Sequence, residues 1–228
     1  MSLPEAALFD FDGTLVHITI DFQAMRQSAV DVIARYGEGA DGGSRFTLEL
    51  VESVRDRLAA GDPERAARFQ EEALAGIRDV ELAAAVDATP LPGVMETLRW
   101  LRDRGVKVGI VTRNCRAAVL SVAERHQMPF DTLLSRDDVR HVKPHPEHLL
   151  QGLRHFGARP ALSVMVGDHP TDIQAAQGAG MVSVGITTTR TAQGFDTVPD
   201  FMVDRMDELV SLLGNGRWQV HREGRSQT

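Results

Sequence analysis

Residues 6–15 read Ala6-Ala7-Leu8-Phe9-Asp10-Phe11-Asp12-Gly13-Thr14-Leu15. The apolar run is too short for a helix and stops at Gly13, so it predicts a buried strand ending in an acidic turn. Side chains alternate along a strand, which puts Asp10 and Asp12 on one side of its C-terminal end. Two carboxylates that close repel each other unless a cation or a proton separates them. Oxygen-only ligands favour a hard ion, Mg²⁺ before Zn²⁺. An acidic turn without chemistry is the plain alternative, because Asp and Gly are common in turns.

The Asp10-Phe11-Asp12-Gly13-Thr14 stretch resembles the first motif of the haloacid dehalogenase-like phosphohydrolases, D-x-D-G-T/V. That resemblance implies three later stations in fixed order, and the chain supplies each. Thr112 ends the apolar run Val106-Lys107-Val108-Gly109-Ile110-Val111. Lys143 stands in the loop Val142-Lys143-Pro144-His145-Pro146-Glu147. Asp168 and Asp172 form the G-D-x-x-x-D pattern that follows Val164-Met165-Val166. Each later motif is weak alone, whereas four in order across nearly the whole chain are strong.

The resemblance also implies roles. Asp10 is the expected nucleophile, carrying an aspartyl-phosphate intermediate, and Asp12 the expected general acid and base. Mg²⁺ is expected on Asp10, on Asp12 through its backbone carbonyl, and on Asp168. Lys143 adds a second positive charge, and Asp172 supports Lys143 or a water of the metal. Thr112 is expected to donate its hydroxyl to a phosphoryl oxygen, with Arg113 and Asn114 beside it in the substrate-binding segment. Arg113 offers a fork to a carboxylate or phosphate. A solvated strand-end arginine is the equal alternative.

At 228 residues the chain has room for one generous core, or for a core domain and a smaller partner. Its 43% hydrophobic and 25% charged content is ordinary for a globular protein. A formal charge of −7 and a pI near 5.6 argue against non-specific nucleic-acid binding. Lys107 and Lys143 are the only lysines, which sets Lys143 apart from surface filler. The single cysteine, Cys115, excludes an intramolecular disulfide and fits a reducing compartment. It reads as a small residue in the first helical turn after Asn114 rather than as a thiol nucleophile. Apolar runs long enough to span a membrane and a signal-peptide pattern are absent, so a cytoplasmic protein without a membrane partner is expected.

From Pro92 onward strands and helices alternate. Helices are expected at 94–104, 116–127, 147–156, 172–178 and 206–213, and strands at 106–112, 132–134, 162–166, 181–186 and 201–203. Such alternation implies a parallel sheet with ligands gathered at its C-terminal strand ends. Residues 16–90 instead read as helices without a convincing strand: one from Phe22 to Tyr36, a break at 37–44, a second over 46–60, and a third from Pro63 toward Val86, interrupted at Gly76. A helical insertion directly after the first motif resembles the C1-type cap of the family. The expected fold is therefore α/β: a Rossmann-like core (1–15 and 91–214), a helical cap (16–90), and a flexible tail (215–228).

The expected function is a Mg²⁺-dependent phosphomonoesterase acting on a small phosphorylated metabolite, most similar to the phosphoglycolate phosphatase branch. A sugar phosphate mutase and a pyrophosphatase use the same core carboxylates and stay open. A dehalogenase has no metal to hold, and a phosphonoacetaldehyde hydrolase needs a cap lysine that residues 16–90 lack. A non-catalytic binding module would have lost one of the acidic residues, and none is lost. His141, His145 and His148 tempt a zinc reading, but two prolines break their geometry and a fourth ligand is missing. They read as polar loop and helix-start residues. His169 beside Asp168 and Arg45 in the cap loop are further candidates for contact with substrate. Oligomeric state and the identity of the metabolite are not written in the spacing.

Overall fold

Strand β1 (Ala6–Phe9) lies at the centre of a six-stranded parallel sheet, and every one of its residues is fully buried. A strand covered on both faces needs a continuous apolar run rather than an alternating one, which is what residues 6–9 provide. The computed structural model describes residues 2–40, 46–189 and 191–219. β1 pairs on one side with β4 (Lys107–Val111) and on the other with β6 (Ser163–Gly167). β5 (Thr132–Leu134), β7 (Val182–Ile186) and β8 (Phe201–Val203) complete the order β5-β4-β1-β6-β7-β8. Gly109 in β4 is explained by β1: a side chain there would run into Leu8 Cδ2 at 2.6 Å.

Helices α4 (Val94–Arg102), α5 (Arg116–Arg125), α6 (Glu147–Phe156), α7 (Pro170–Ala179) and α8 (Met206–Gly214) connect or flank these strands. The chain moves outward from β1 through β4 to β5, then returns across it to β6. That reversal makes the C-terminal ends of β1, β4 and β6 a topological switch point, where α/β proteins place ligands. Burying Leu8, Phe9, Val111 and Met165 stabilises this layer by roughly 1.5–3 kcal/mol per large side chain.

The chain divides into two compact units, Met1–Ile18 with Ala88–Thr228, and Thr19–Asp87. The second is helical, built from α1 (Phe22–Arg35), α2 (Thr47–Ala59) and α3 (Pro63–Ala85). Its core joins Met25, Ala29 and Ile33 with Leu50, Val54, Phe69 and Ile77. Asp21 caps α1 and Asp62 caps α3, each accepting a backbone N–H three residues on, with Pro63 in the first turn. α3 runs unbroken through Gly76, contrary to the expected interruption. The glycine is there for room, since a Cβ would strike the Ser28 side chain on α1. Arg45 lies outside the described residues, as does part of the 37–44 break.

Two short elements escaped the sequence pattern. β2 (Val16–His17) and β3 (Thr89–Pro90) form an antiparallel pair that keeps residues 16–18 and 88–90 with the sheet. Two residues are too few for a period to register. At the other end, Arg217–Gln219 form a 3₁₀ turn in which Trp218 is fully buried and donates its indole N–H to the Ser2 carbonyl at 3.3 Å. Residues 215–219 are thus held by one aromatic side chain in the stretch expected to be a loose tail. Residues 220–228 lie outside the described part. No described helix is long and apolar enough to cross a membrane.

Candidate active site

Asp10 immediately follows β1, and its backbone N–H still pairs with Val166 at 2.9 Å. Beyond it the chain turns. Leu15 and Val16 both return their N–H groups to the Phe11 carbonyl, at 3.0 and 3.1 Å. Gly13 makes that turn with φ +82°, and a Cβ there would meet Asp168 Oδ2 at 2.5 Å. Both the dihedral and the space require glycine. The strand ends at Phe9, so both Asp10 and Asp12 lie beyond it, and each has its own partners. Asp10 takes Lys143 as its partner, and Asp12 is held by the β4 side.

Lys143 Nζ lies 2.7 Å from Asp10 Oδ1 and 2.7 Å from Asp172 Oδ1, with its side chain about 1% exposed. The first contact is a well-formed hydrogen bond; the second is an ion pair whose angle falls outside hydrogen-bond geometry. Burial acts to lower the Lys143 pKa, but the charges of Asp10 and Asp172 outweigh it and hold the ammonium protonated. Asp172 sits in the first turn of α7 and accepts the His169 N–H at 3.0 Å. Gly167 must lack a side chain, because a Cβ would collide with the Asp172 carboxylate.

Asp168 completes the group. Thr14 donates to its Oδ1 at 3.1 Å and Thr189 donates to Oδ2. Carboxylate oxygens of Asp10, Asp168 and Asp172 all lie within 4.8 Å of one another. Burial, then the charge of Asp10, raises the pKa of Asp168 to about 6, and the same two causes push Asp172 upward against the pull of Lys143. Three carboxyl groups crowd one ammonium in a buried place, and full ionisation of all three would leave a surplus of negative charge there. An all-oxygen donor set with that surplus fits a hard divalent cation.

Across the site, Asn114 Nδ2 donates to Asp12 Oδ1 at 2.9 Å and Thr112 Oγ1 reaches Asp12 Oδ2 at 3.4 Å. Thr112 also accepts the Asn114 N–H at 3.0 Å. Asn114, like Thr112, is buried. The Asp12 side chain is not part of the three-carboxylate cluster. Arg113 Nη1 donates to the Lys143 carbonyl at 2.9 Å, which ties this side chain to the Lys143 loop. Cys115 is buried and caps α5, its sulfur 3.5 Å from the Ala118 N–H, in keeping with a structural residue.

Several residues around the site were not singled out from sequence. Thr14 belongs to the quoted motif yet signalled no role of its own. Thr188, which donates to the Gly13 carbonyl, and Thr189 follow β7 at the same sheet edge. Their signal was a run of three threonines just past a strand. His148, expected among the polar loop and helix-start residues, is fully buried. His141 and His145 stack at 4.9 Å between ring centres. Neither joins a described metal-binding group. The Nδ1 of His169 accepts the Thr171 N–H at 3.2 Å, so this ring caps α7.

The fold and site thus define an α/β protein with a buried acidic cluster, and a lysine inside it, at the switch point of a parallel sheet. The haloacid dehalogenase-like hydrolase model matches residues 4–180, and the chain belongs to that family. It is 31% identical over 212 residues to pyrophosphatase PpaX of Bacillus pumilus, covering 91% of this chain and 95% of that one. It is 39% identical over 127 residues to pyrophosphatase PpaX of Bacillus cereus; that match spans 54% of this chain and only 58% of the relative. Among solved structures, a haloacid dehalogenase-like hydrolase from Bacteroides fragilis superposes with TM-score 0.63 at 25% identity, covering 90% of this chain and 99% of the other. β-Phosphoglucomutase from Clostridium difficile superposes with TM-score 0.67 at 21% identity, covering 96% and 99%, a likeness of fold.

Proposed function

We propose that the protein is a Mg²⁺-dependent phosphatase that hydrolyses a small phosphate monoester through Asp10. The observation that carries this reading is the buried Asp10 carboxylate, 2.7 Å from Lys143 and grouped with Asp168 and Asp172. Lys143 engages one Asp10 oxygen, which leaves the other to attack phosphorus. The new bond joins Asp10 to the phosphoryl group while the bond to the leaving oxygen breaks. Asp12, oriented by Asn114 and Thr112, gives that oxygen its proton. Asp12 then takes a proton from water as the water attacks phosphorus. Inorganic phosphate leaves and Asp10 is restored. The Lys143 ammonium supplies a positive charge to the transferring group, and Thr112 would turn its hydroxyl from Asp12 to a phosphoryl oxygen.

Asp10, Asp168 and the Asp12 backbone carbonyl would hold Mg²⁺. The ion would neutralise charge as an anionic phosphate approaches an anionic carboxylate. Asp172 keeps Lys143 in place. The partner on this reading is a small phosphorylated metabolite, phosphoglycolate-like in size, and the helical unit, as a cap, would select it.

A second reading is favoured by the PpaX relatives: the leaving group is itself phosphate, and the substrate is inorganic pyrophosphate. The same residues serve, because only the leaving oxygen changes. The test is phosphate release from p-nitrophenyl phosphate, 2-phosphoglycolate, glucose 1-phosphate and pyrophosphate. Each is assayed with Mg²⁺, after EDTA, and after Mg²⁺ is restored. Release abolished by EDTA and recovered with Mg²⁺ supports the proposal, and the ranking separates ester from anhydride. Release that ignores EDTA would sink the metal assignment, and no release from any of the four would sink the phosphatase reading.

A further inference from the structure

His148 is fully buried in the first turns of α6, five residues beyond Lys143. Its Nδ1 accepts the Lys143 backbone N–H at 3.2 Å, and its Nε2 lies 3.1 Å from the Leu134 carbonyl. A ring with an N–H donor facing one nitrogen and a carbonyl facing the other has one satisfactory state, neutral with the proton on Nε2. The Leu134 carbonyl, on β5, also accepts the Thr112 N–H at 3.0 Å. Thr112 and the Lys143 peptide are therefore referred to the same carbonyl oxygen, one directly and one through the imidazole. On its other side the Lys143 peptide is gripped at its carbonyl by Arg113.

We propose that His148 is a positioning residue: its neutral ring ties the peptide bearing Lys143 to the β5 carbonyl that fixes Thr112, and so aims the ammonium at Asp10 and Asp172. This rests on the reading of Lys143 as part of the phosphatase machinery. Burial, and after it the Lys143 charge, disfavours an imidazolium here and keeps the Nδ1 lone pair available. A buried histidine serving packing alone would need no relation to Lys143. Here one ring nitrogen is spent on the backbone of Lys143 and the other on the β5 carbonyl that also holds Thr112. An apolar replacement would leave the buried Lys143 N–H unpaired, while the Leu134 carbonyl kept the Thr112 N–H, and would let the lysine drift.

The experiment is a double-mutant cycle on the full-length, Mg²⁺-loaded protein, reading kcat and KM for p-nitrophenyl phosphate. His148→Leu is expected to lower kcat by about tenfold, the size of one lost hydrogen bond. His148→Gln, which keeps a donor and an acceptor, is expected to recover most of it. In a Lys143→Met background, adding His148→Leu should cost little more, because the lysine it positions is gone. Where residual turnover is too low to compare, calorimetric affinity for inorganic phosphate supplies the same cycle. A full additional loss in that background, or wild-type kcat in His148→Leu, overturns the proposal. Wild-type turnover by Lys143→Met would instead remove Lys143 from the mechanism and this proposal with it. The tautomer is read in the unmodified protein, so a variant that fails to fold does not stop the test. At pH 7, nitrogen-15 shifts should show His148 protonated on Nε2 alone, and a ring protonated on Nδ1 refutes the bridge.

Discussion

Asp10 and Lys143 stand 133 positions apart in the chain and 2.7 Å apart in the fold. An ammonium this deeply buried is tolerable because two carboxylates compensate it, and the carboxylates are tolerable because the ammonium and, on our proposal, a cation offset them. Asp10→Asn is nearly isosteric and relieves the crowding with Asp168, so the variant should melt close to the wild type while turnover is abolished. Near wild-type hydrolysis by a cleanly purified sample would reject Asp10 as nucleophile. Asp12→Asn keeps an acceptor for Asn114 and can turn its amide N–H to the Thr112 hydroxyl oxygen, but it loses the acid–base proton. Its turnover should fall by about 10²–10⁴-fold on an ester with a poor leaving group. Mg²⁺ affinity should hold, since the metal is expected on the backbone carbonyl. Calorimetry beside the rate assay decides, and an unchanged rate removes the acid–base role.

At the scale of elements, glycines mark where two segments come closest. Gly109 lets Leu8 pack across β1 and β4, Gly167 clears space for Asp172, and Gly76 lets α3 lie against Ser28 of α1. The last can be measured without disturbing the site. Gly76→Ala places one methyl against a serine hydroxyl that is free to rotate, and helix propensity offsets the crowding, so stability should change little. Gly76→Val adds branched methyls that rotation cannot clear, and overpacking of this kind costs about 1–3 kcal/mol. Denaturant unfolding of the two variants should differ accordingly. Equal stability would show that α1 and α3 separate easily at this level.

Over the whole molecule, pH reaches the fold through His148. Burial and the nearby Lys143 charge hold its pKa down to about 3, whereas in the unfolded chain it titrates near 6.5. Between those values the unfolded chain binds a proton that the native state refuses, so the contribution of this group to the slope of stability with pH is positive there, opposed by the raised carboxyls of Asp168 and Asp172. The His148 contribution is present in full above about pH 6.5 and declines toward pH 3 by at most about 1.4 kcal/mol per unit. His148→Gln removes the titration. The stability gap between wild type and this variant should therefore narrow on going from pH 7 to pH 5, measured by urea unfolding. A gap independent of pH would mean that His148 is not held neutral.

The sequence by itself determined the parallel α/β core and the order of its motifs, because strand burial and turn chemistry are local. Residues 6–9 are apolar without alternation, and Gly13 stops them, so β1 and its acidic end were legible at once. The helices of residues 22–85 were legible from their period, and the β2–β3 pair was not, because a two-residue strand has none. The side-chain partnerships came only with tertiary structure. Alternation put Asp10 and Asp12 at one strand end but could not name their partners: Asp10 pairs with Lys143 while Asp12 goes to Asn114 and Thr112. Arg113 reads from sequence as a substrate fork or a solvated strand-end residue, and it donates to a backbone carbonyl; His148 reads as a polar helix-start residue, and it is buried between the Lys143 N–H and the Leu134 carbonyl. Hydrophobic periodicity reports which face of an element is covered. It carries no information about which distant carbonyl a buried donor will meet, since that depends on how the layers close around the switch point.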